Sequence, residues 1–342
     1  MLFAGLFSLA LFPACQQSQT DINMPPAAQN TMVVPVDFPQ PSVPTDNPIN
    51  AAKIDLGRHL FYEVRLSRDN AHACASCHQP SASFSDFQKP LSIGIFNERG
   101  SRNAPALINI AYDTSLFWDG RATTLEQQAV APILNPLELG SDSETVVANI
   151  ASDGLYKKMF ANAFGNGTIT MTRIAQAIAT FERTFISGSS AYDQFNRGDS
   201  SALSGDAQRG LTLFLSKEVN CVGCHTGFNF TDNTYHSTGL DFEYADIGRE
   251  DVTSRQSDNG KFRTPTLRNI ALTSPYMHDG RFTTLEQVLA HYNQGGMHNS
   301  TQDSLVRPLH LTDQQIGDII AFLNSLTDKA FTTRKDFANP NP

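Results

Sequence analysis

The chain has 342 residues, of which 40% are apolar and 17% charged, with a formal net charge of −9. That length holds about two domains of ordinary size, and the balance excludes a mainly disordered chain. An acidic chain without basic blocks is also a poor candidate for binding nucleic acid.

Residues 1–14, MLFAGLFSLALFPA, are almost wholly apolar. The run is too short to span a bilayer as a mature helix and reads as the apolar stretch of an export signal. Cys15 follows a small residue, and the chain then turns polar. This resembles a bacterial lipoprotein cleavage site, although Phe12 stands where leucine is usual and no Lys or Arg precedes the run. The resemblance implies a periplasmic protein whose one tie to the membrane is a lipid on Cys15. Residues 1–15 are thus expected to be a signal peptide. Residues 16–48, rich in Pro, Gln, Asn and Asp, are expected to be a flexible tether.

Helical apolar spacing begins at Ala51–Tyr62. CASCH follows at 74–78. A second helix is expected over Thr172–Ser187, then CVGCH at 221–225. A third helix is expected over Thr312–Thr327, where Thr312 and Gln315 form a capping-box pattern. No run of alternating strand segments stands out, so the fold class is mainly α, with long loops.

An internal repeat organises these pieces. RNAPALINIA (102–111) matches RTPTLRNIA (263–271), and DGRATTLEQ (119–127) matches DGRFTTLEQ (279–287) at an offset of 160. The two CxxCH motifs match at an offset of 147, so the second copy carries an insertion, expected within 232–260. Two homologous domains meeting at an interface are the economical reading: 49–200 and 201–330, with 331–342 as a tail.

CxxCH is the attachment motif of haem c. Two thiols three positions apart on one helical turn can add to both vinyl groups of a porphyrin, and the adjacent histidine reaches the iron. Cys74, Cys77 and His78 would hold one haem, and Cys221, Cys224 and His225 the other. A zinc site would cluster the thiolates in one module. A redox dithiol would sit in a βαβ context. Neither pattern is present.

The motifs CASCH, RNAPAL, FWDGRATTLEQQA, NPLEL, CVGCH, FRTPTLRNIALTSPYMHDG and HYNQGG resemble those of the bacterial dihaem cytochrome c peroxidases, a family that includes the MauG proteins. The resemblance spans roughly residues 50–327. It implies two cytochrome c-like domains, a haem in each and a calcium ion between them. It assigns Trp118, the only tryptophan, to the space between the haems. It makes Glu138 the acid that moves a proton between peroxide oxygens, and Gln128 its amide neighbour in the distal pocket. Spacing alone reads Glu138 as a surface carboxylate and Gln128 as a solvated helix residue. Asn103 (side chain), Thr273 and Pro275 (carbonyls) match the calcium ligands, an all-oxygen set suited to Ca²⁺. Turn chemistry would explain the same three residues.

Two departures from the peroxidase pattern matter. Ile95 stands where many members have a distal histidine, which implies an open sixth position at the first haem. Fourteen residues after His278, where the peroxidases have methionine, stands Tyr292, as in MauG; His291, Met297 and His298 lie close enough to compete. His236 and His278 are expected beside the second haem without ligating it. The function implied is reduction of hydrogen peroxide to water at the N-terminal haem. Electrons would pass through the C-terminal haem from a small cytochrome c or cupredoxin. The runner-up is a MauG-like oxidation of residues in a partner protein, and a plain dihaem electron carrier comes third.

Overall fold

The computed structural model describes residues 32–340. The expected signal 1–15, Cys15 included, lies outside the described residues, as do 16–31 and 341–342.

The chain is mainly helical, as its pattern implied. The helices are α1 (Ala51–Phe61), α2 (Cys74–Cys77), α3 (Leu125–Leu134), α4 (Ser143–Ala151), α5 (Gly154–Phe164), α6 (Met171–Glu182), α7 (Ala191–Asn196), α8 (Gly205–Leu215), α9 (Glu250–Thr253), α10 (Leu285–Gln294), α11 (Asp313–Ser325) and α12 (Lys329–Thr332). Among the described residues, one two-stranded sheet pairs β1 (Tyr235–His236) antiparallel with β2 (Phe262–Arg263). Among the described residues, no helix is long and apolar enough to cross a membrane.

Local chemistry sets the helix ends. Asn50 accepts from Lys53 N at 2.7 Å and starts α1. Thr312 and Gln315 cap α11 reciprocally, as the sequence pattern implied. α6 ends at Glu182, short of the expected Ser187. The extended residues beyond it are held from outside: Asn109 accepts from Ser187 N at 2.8 Å and donates to its carbonyl at 3.1 Å. A long-range amide clamp thus replaces the last helical turn.

Each half is built on one close helix crossing. α1 meets α6 at Gly57, where a Cβ would collide with the Ala177 carbonyl; α8 meets α11 at Gly210, where a Cβ would collide with the Asp318 carbonyl. Around the first crossing lie Phe61, Phe84, Phe160, Phe181 and Phe185. Around the second lie Phe214, Phe230, Ile319 and Phe322. Burying each such side chain contributes about 1.5–3 kcal/mol. The repeated turns superpose in kind. Leu116 bridges Ala122 as Tyr276 bridges Phe282. Phe117 and Met277 share a positive φ, of 67° and 72°.

Two expected loose segments are packed. Within the expected tether 16–48, Phe38 is 6% exposed and sits against Tyr112 and Phe228, while Asn47 donates to Glu126 and to the Gln176 carbonyl. In the expected tail 331–342, Phe331 and Phe337 join the first core, and Tyr62 donates to the Phe337 carbonyl at 2.6 Å. Aromatic side chains anchor both segments, which polar composition alone obscured.

Candidate haem sites

The two CxxCH motifs are held alike. α2 is one α-turn in which His78 N donates to the Cys74 carbonyl at 3.0 Å. The second motif is a tighter 3₁₀ turn, with His225 N donating to the Cys221 carbonyl at 2.9 Å. His78 Nδ1 donates to the Phe84 carbonyl at 2.7 Å, and His225 Nδ1 to the Phe230 carbonyl at 3.0 Å. Both carbonyls belong to left-handed phenylalanines, with φ of 58° and 51°. The acceptor fixes the tautomer and leaves Nε2 for a metal. Burial lowers the pKa of both imidazoles, which keeps them neutral. Burial also pushes the Cys77 thiol up to about 11 and Cys221 to about 12.

The first cavity is lined by Cys74, Cys77, His78, Trp118, Gln128 and Glu138. The structure thus brings the sequence-derived residues of that site onto one wall system. Glu138 sits in the 135–140 loop after α3 and accepts from Asn135 Nδ2 at 2.6 Å. Burial raises its pKa, opposed by the Asn135 bond and by Arg121. Gln128, on α3, has no described side-chain hydrogen bond and lines the same space. Ile95 is buried at 2% exposure but is not on the cavity wall. A Cβ on Gly140 would meet its Cδ1, and its N–H donates to the Glu138 carbonyl at 2.9 Å. Its visible task is to seat the Glu138 loop. The one other histidine on this wall, His72, is bonded to Asp69 at 2.8 Å.

The second cavity is lined by Cys221, Cys224, His225 and Tyr292, with apolar walls from residues such as Phe214, Leu267 and Leu289. Of the four candidate sixth ligands, only Tyr292 lines it. His291 Nε2 donates to the Thr238 carbonyl at 2.9 Å, and Met297 and His298 are exposed. Burial raises the Tyr292 pKa, so the phenol ionises only beside a cation. His236, bonded to Asp232 and Asp303, and His278, stacked on Phe262 at 3.6 Å, also line this cavity.

Trp118 lines both cavities. Its indole donates to the Asn103 carbonyl at 2.8 Å, and its own carbonyl accepts from Arg263 N at 2.8 Å. Asn103, Thr273 and Pro275 all line the second cavity. The sequence reading missed Asn135 and the reach of the insertion into the first cavity. Asn135 was findable, since it opens NPLEL three residues before Glu138. The insertion reaches back to the first half: Arg102 donates to Asp246 at 2.6 and 2.7 Å, and Arg249 donates to the Asp119 carbonyl at 2.7 Å. Asp251 and Val252 thereby line the first cavity.

These residues fit haem c. Each cavity joins a thiol pair, a neutral imidazole with Nε2 free, and apolar walls.

A family profile described as di-haem cytochrome c peroxidase matches residues 51–201 and 211–334. The methylamine utilization protein MauG of Methylophilus methylotrophus is 37% identical over 289 residues, 83% of this chain and 84% of the relative. Cytochrome c551 peroxidase of Nitrosomonas europaea is 37% identical over 284 residues, 82% of this chain and 81% of the relative. A crystal structure of a MauG-like protein associated with microbial copper homeostasis has a TM-score of 0.86 at 34% identity, covering 90% of this chain and 98% of that one. The diheme peroxidase BthA of Burkholderia thailandensis gives 0.71 at 25% identity, covering 84% and 88%. The chain belongs to the di-haem cytochrome c peroxidase and MauG family, and is an oxidoreductase that carries two haem c groups.

Proposed function

We propose that the protein reduces hydrogen peroxide to water in the first cavity, with electrons from a small cytochrome c or cupredoxin arriving through the second haem domain. The observation that carries this reading is the shared wall of the first cavity: Glu138 and Gln128 line it together with His78, and no methionine or tyrosine among the described residues does. Haem iron supplies the redox chemistry that cleaves an O–O bond. The protein supplies the proton management. Glu138 takes a proton from one peroxide oxygen and returns it to the other, which then departs as water. Two electrons and two protons convert each peroxide into two waters. Asn135 holds the carboxylate in place, and Gln128 offers an amide N–H to the bound oxygen. Trp118, between the cavities, offers a π-system on the way from donor to peroxide.

Asn103, Thr273 and Pro275 are proposed to hold Ca²⁺ where the two halves meet. Asn103 Nδ2 is spent on the Lys89 and Pro90 carbonyls, which leaves Oδ1 for a cation. The apolar 1–14 run and Cys15 support export to the periplasm with a lipid anchor.

One observation favours the second reading, oxidation of residues in a partner protein. Tyr292 on the second cavity wall is a hard anionic donor once ionised, and it stabilises ferric over ferrous iron. That makes electron uptake from a cytochrome c less favourable. An electron carrier with no reaction would leave Glu138 and Gln128 without a task.

Stopped-flow mixing of the resting ferric enzyme with peroxide tests the proposal. A spectral change without prior reduction is expected, followed by decay that reduced cytochrome c accelerates. No change would overturn the peroxidase reading. A change whose decay ignores cytochrome c would favour the partner-protein reading.

A further inference from the structure

Three arginines are buried among the described residues: Arg183, Arg263 and Arg268. Two of them hydrogen-bond a carboxylate. Arg183 forks onto Glu126 at 2.7 and 3.0 Å, and Arg268 bonds the Phe228 carbonyl and Asp193. Arg263 differs. It is 7% exposed, yet its Nε and Nη1 have no hydrogen-bond partner, and none is described for Nη2. The one opposite charge is Asp113, whose Oδ2 lies 3.0 Å from Nη1 without hydrogen-bond alignment. Burial pushes that carboxyl up to about 6 even beside the guanidinium. A buried guanidinium whose Nε and Nη1 N–H groups find no hydrogen-bond acceptor signals an anion.

The position says which anion. Arg263 lines both cavities, and its backbone is fixed, through N to the Trp118 carbonyl and through β2 to Tyr235. The anions that a haem brings into such a cavity are its two propionate carboxylates. We infer that Arg263 is a shared carboxylate site, whose guanidinium takes a propionate from the haem in each cavity and so couples the two haems electrostatically. The inference rests on two haems being attached at the CxxCH motifs. A count of haems per chain by pyridine haemochrome checks that point separately. Because thioethers hold the haems, loss of a propionate contact leaves both in place and changes their potentials.

The experiment is a spectroelectrochemical titration of the holoenzyme that resolves both haems. Loss of a nearby cation makes electron uptake less favourable. Arg263→Gln is therefore expected to lower both potentials, each by about 59 mV if the reduction equilibrium shifts tenfold. Arg263→Lys, which keeps the charge, should restore most of both shifts. The double variant Arg263→Gln/Asp113→Asn removes the carboxylate left unpaired and should show the same two shifts in a stably folded protein. A shift at one haem alone would overturn the sharing, and no shift at either would overturn the site. If wild-type potentials follow phosphate or chloride concentration as they follow the substitution, the guanidinium holds a solvent anion and the inference fails.

Discussion

The two halves share a frame and differ in what they present to their cavities. At the offset of 160, Gln128 corresponds to Val288 and Pro132 to Tyr292, and all four line the cavity of their own half. Glu138 corresponds to His298, which is exposed and off the wall. The helix crossings at Gly57 and Gly210, the imidazole–carbonyl bonds and the DGR turns are retained in both halves. The proposed peroxide chemistry in one half and capped redox centre in the other would thus come from three positions on a common scaffold.

Changing those positions should break the asymmetry. The largest effect is expected at Glu138. Glu138→Gln keeps shape and hydrogen bonding but cannot carry the proton, so the rate of reaction with peroxide should fall by about 10²–10⁴-fold, with both haems still attached. An unchanged stopped-flow rate would remove Glu138 from the chemistry. Next is Tyr292→Phe, which removes the phenol oxygen from the second cavity's wall. Cyanide titration of the ferric protein should then find a second binding haem, whereas one binding haem in both proteins would mean that another residue fills that place.

Gln128→Val imports the second half's residue into the first. Loss of one hydrogen bond to the bound oxygen, about 1.4 kcal/mol, predicts roughly a tenfold slower peroxide reaction. A smaller and more diagnostic effect is expected from Asn135→Ala. The Asn135 bond favours the ionised carboxylate and opposes the upward push of burial on Glu138. Its removal raises that pKa further, so the acidic limb of the pH–rate profile, which requires the carboxylate, should move to higher pH. The smallest effect concerns the junction. Chelating Ca²⁺ should lower the melting temperature by a few degrees through lost binding energy, about 2.7 kcal/mol at a hundredfold excess over Kd. No change in melting temperature would argue against an ion there.

Legibility in the sequence followed the range of the chemistry. The two CxxCH motifs were readable because covalent haem attachment demands Cys, Cys and His at fixed local spacing. α1 and α11 were readable from apolar spacing, and Thr312–Gln315 marked a start within four residues. The insertion was located by the unequal repeat offsets, but its contribution of Asp251 and Val252 to the other half's cavity depends on Arg102 meeting Asp246 across 144 positions. Phe38, Phe331 and Phe337 were obscured for the same reason, since each is apolar within a polar stretch and finds its partners only in the folded chain. Ile95 was read for the ligand it lacks. Its packing against Gly140 shows a positioning task that no motif encodes.

The account depends on two irons with different sixth positions. Resonance Raman and electron paramagnetic resonance spectra of the resting ferric holoenzyme test this most directly. Expected are a high-spin centre without a protein sixth ligand at His78 and, at His225, a centre with the vibrational signature of an iron-bound phenolate that disappears in Tyr292→Phe. A low-spin centre at His78 with a second protein ligand would contradict it.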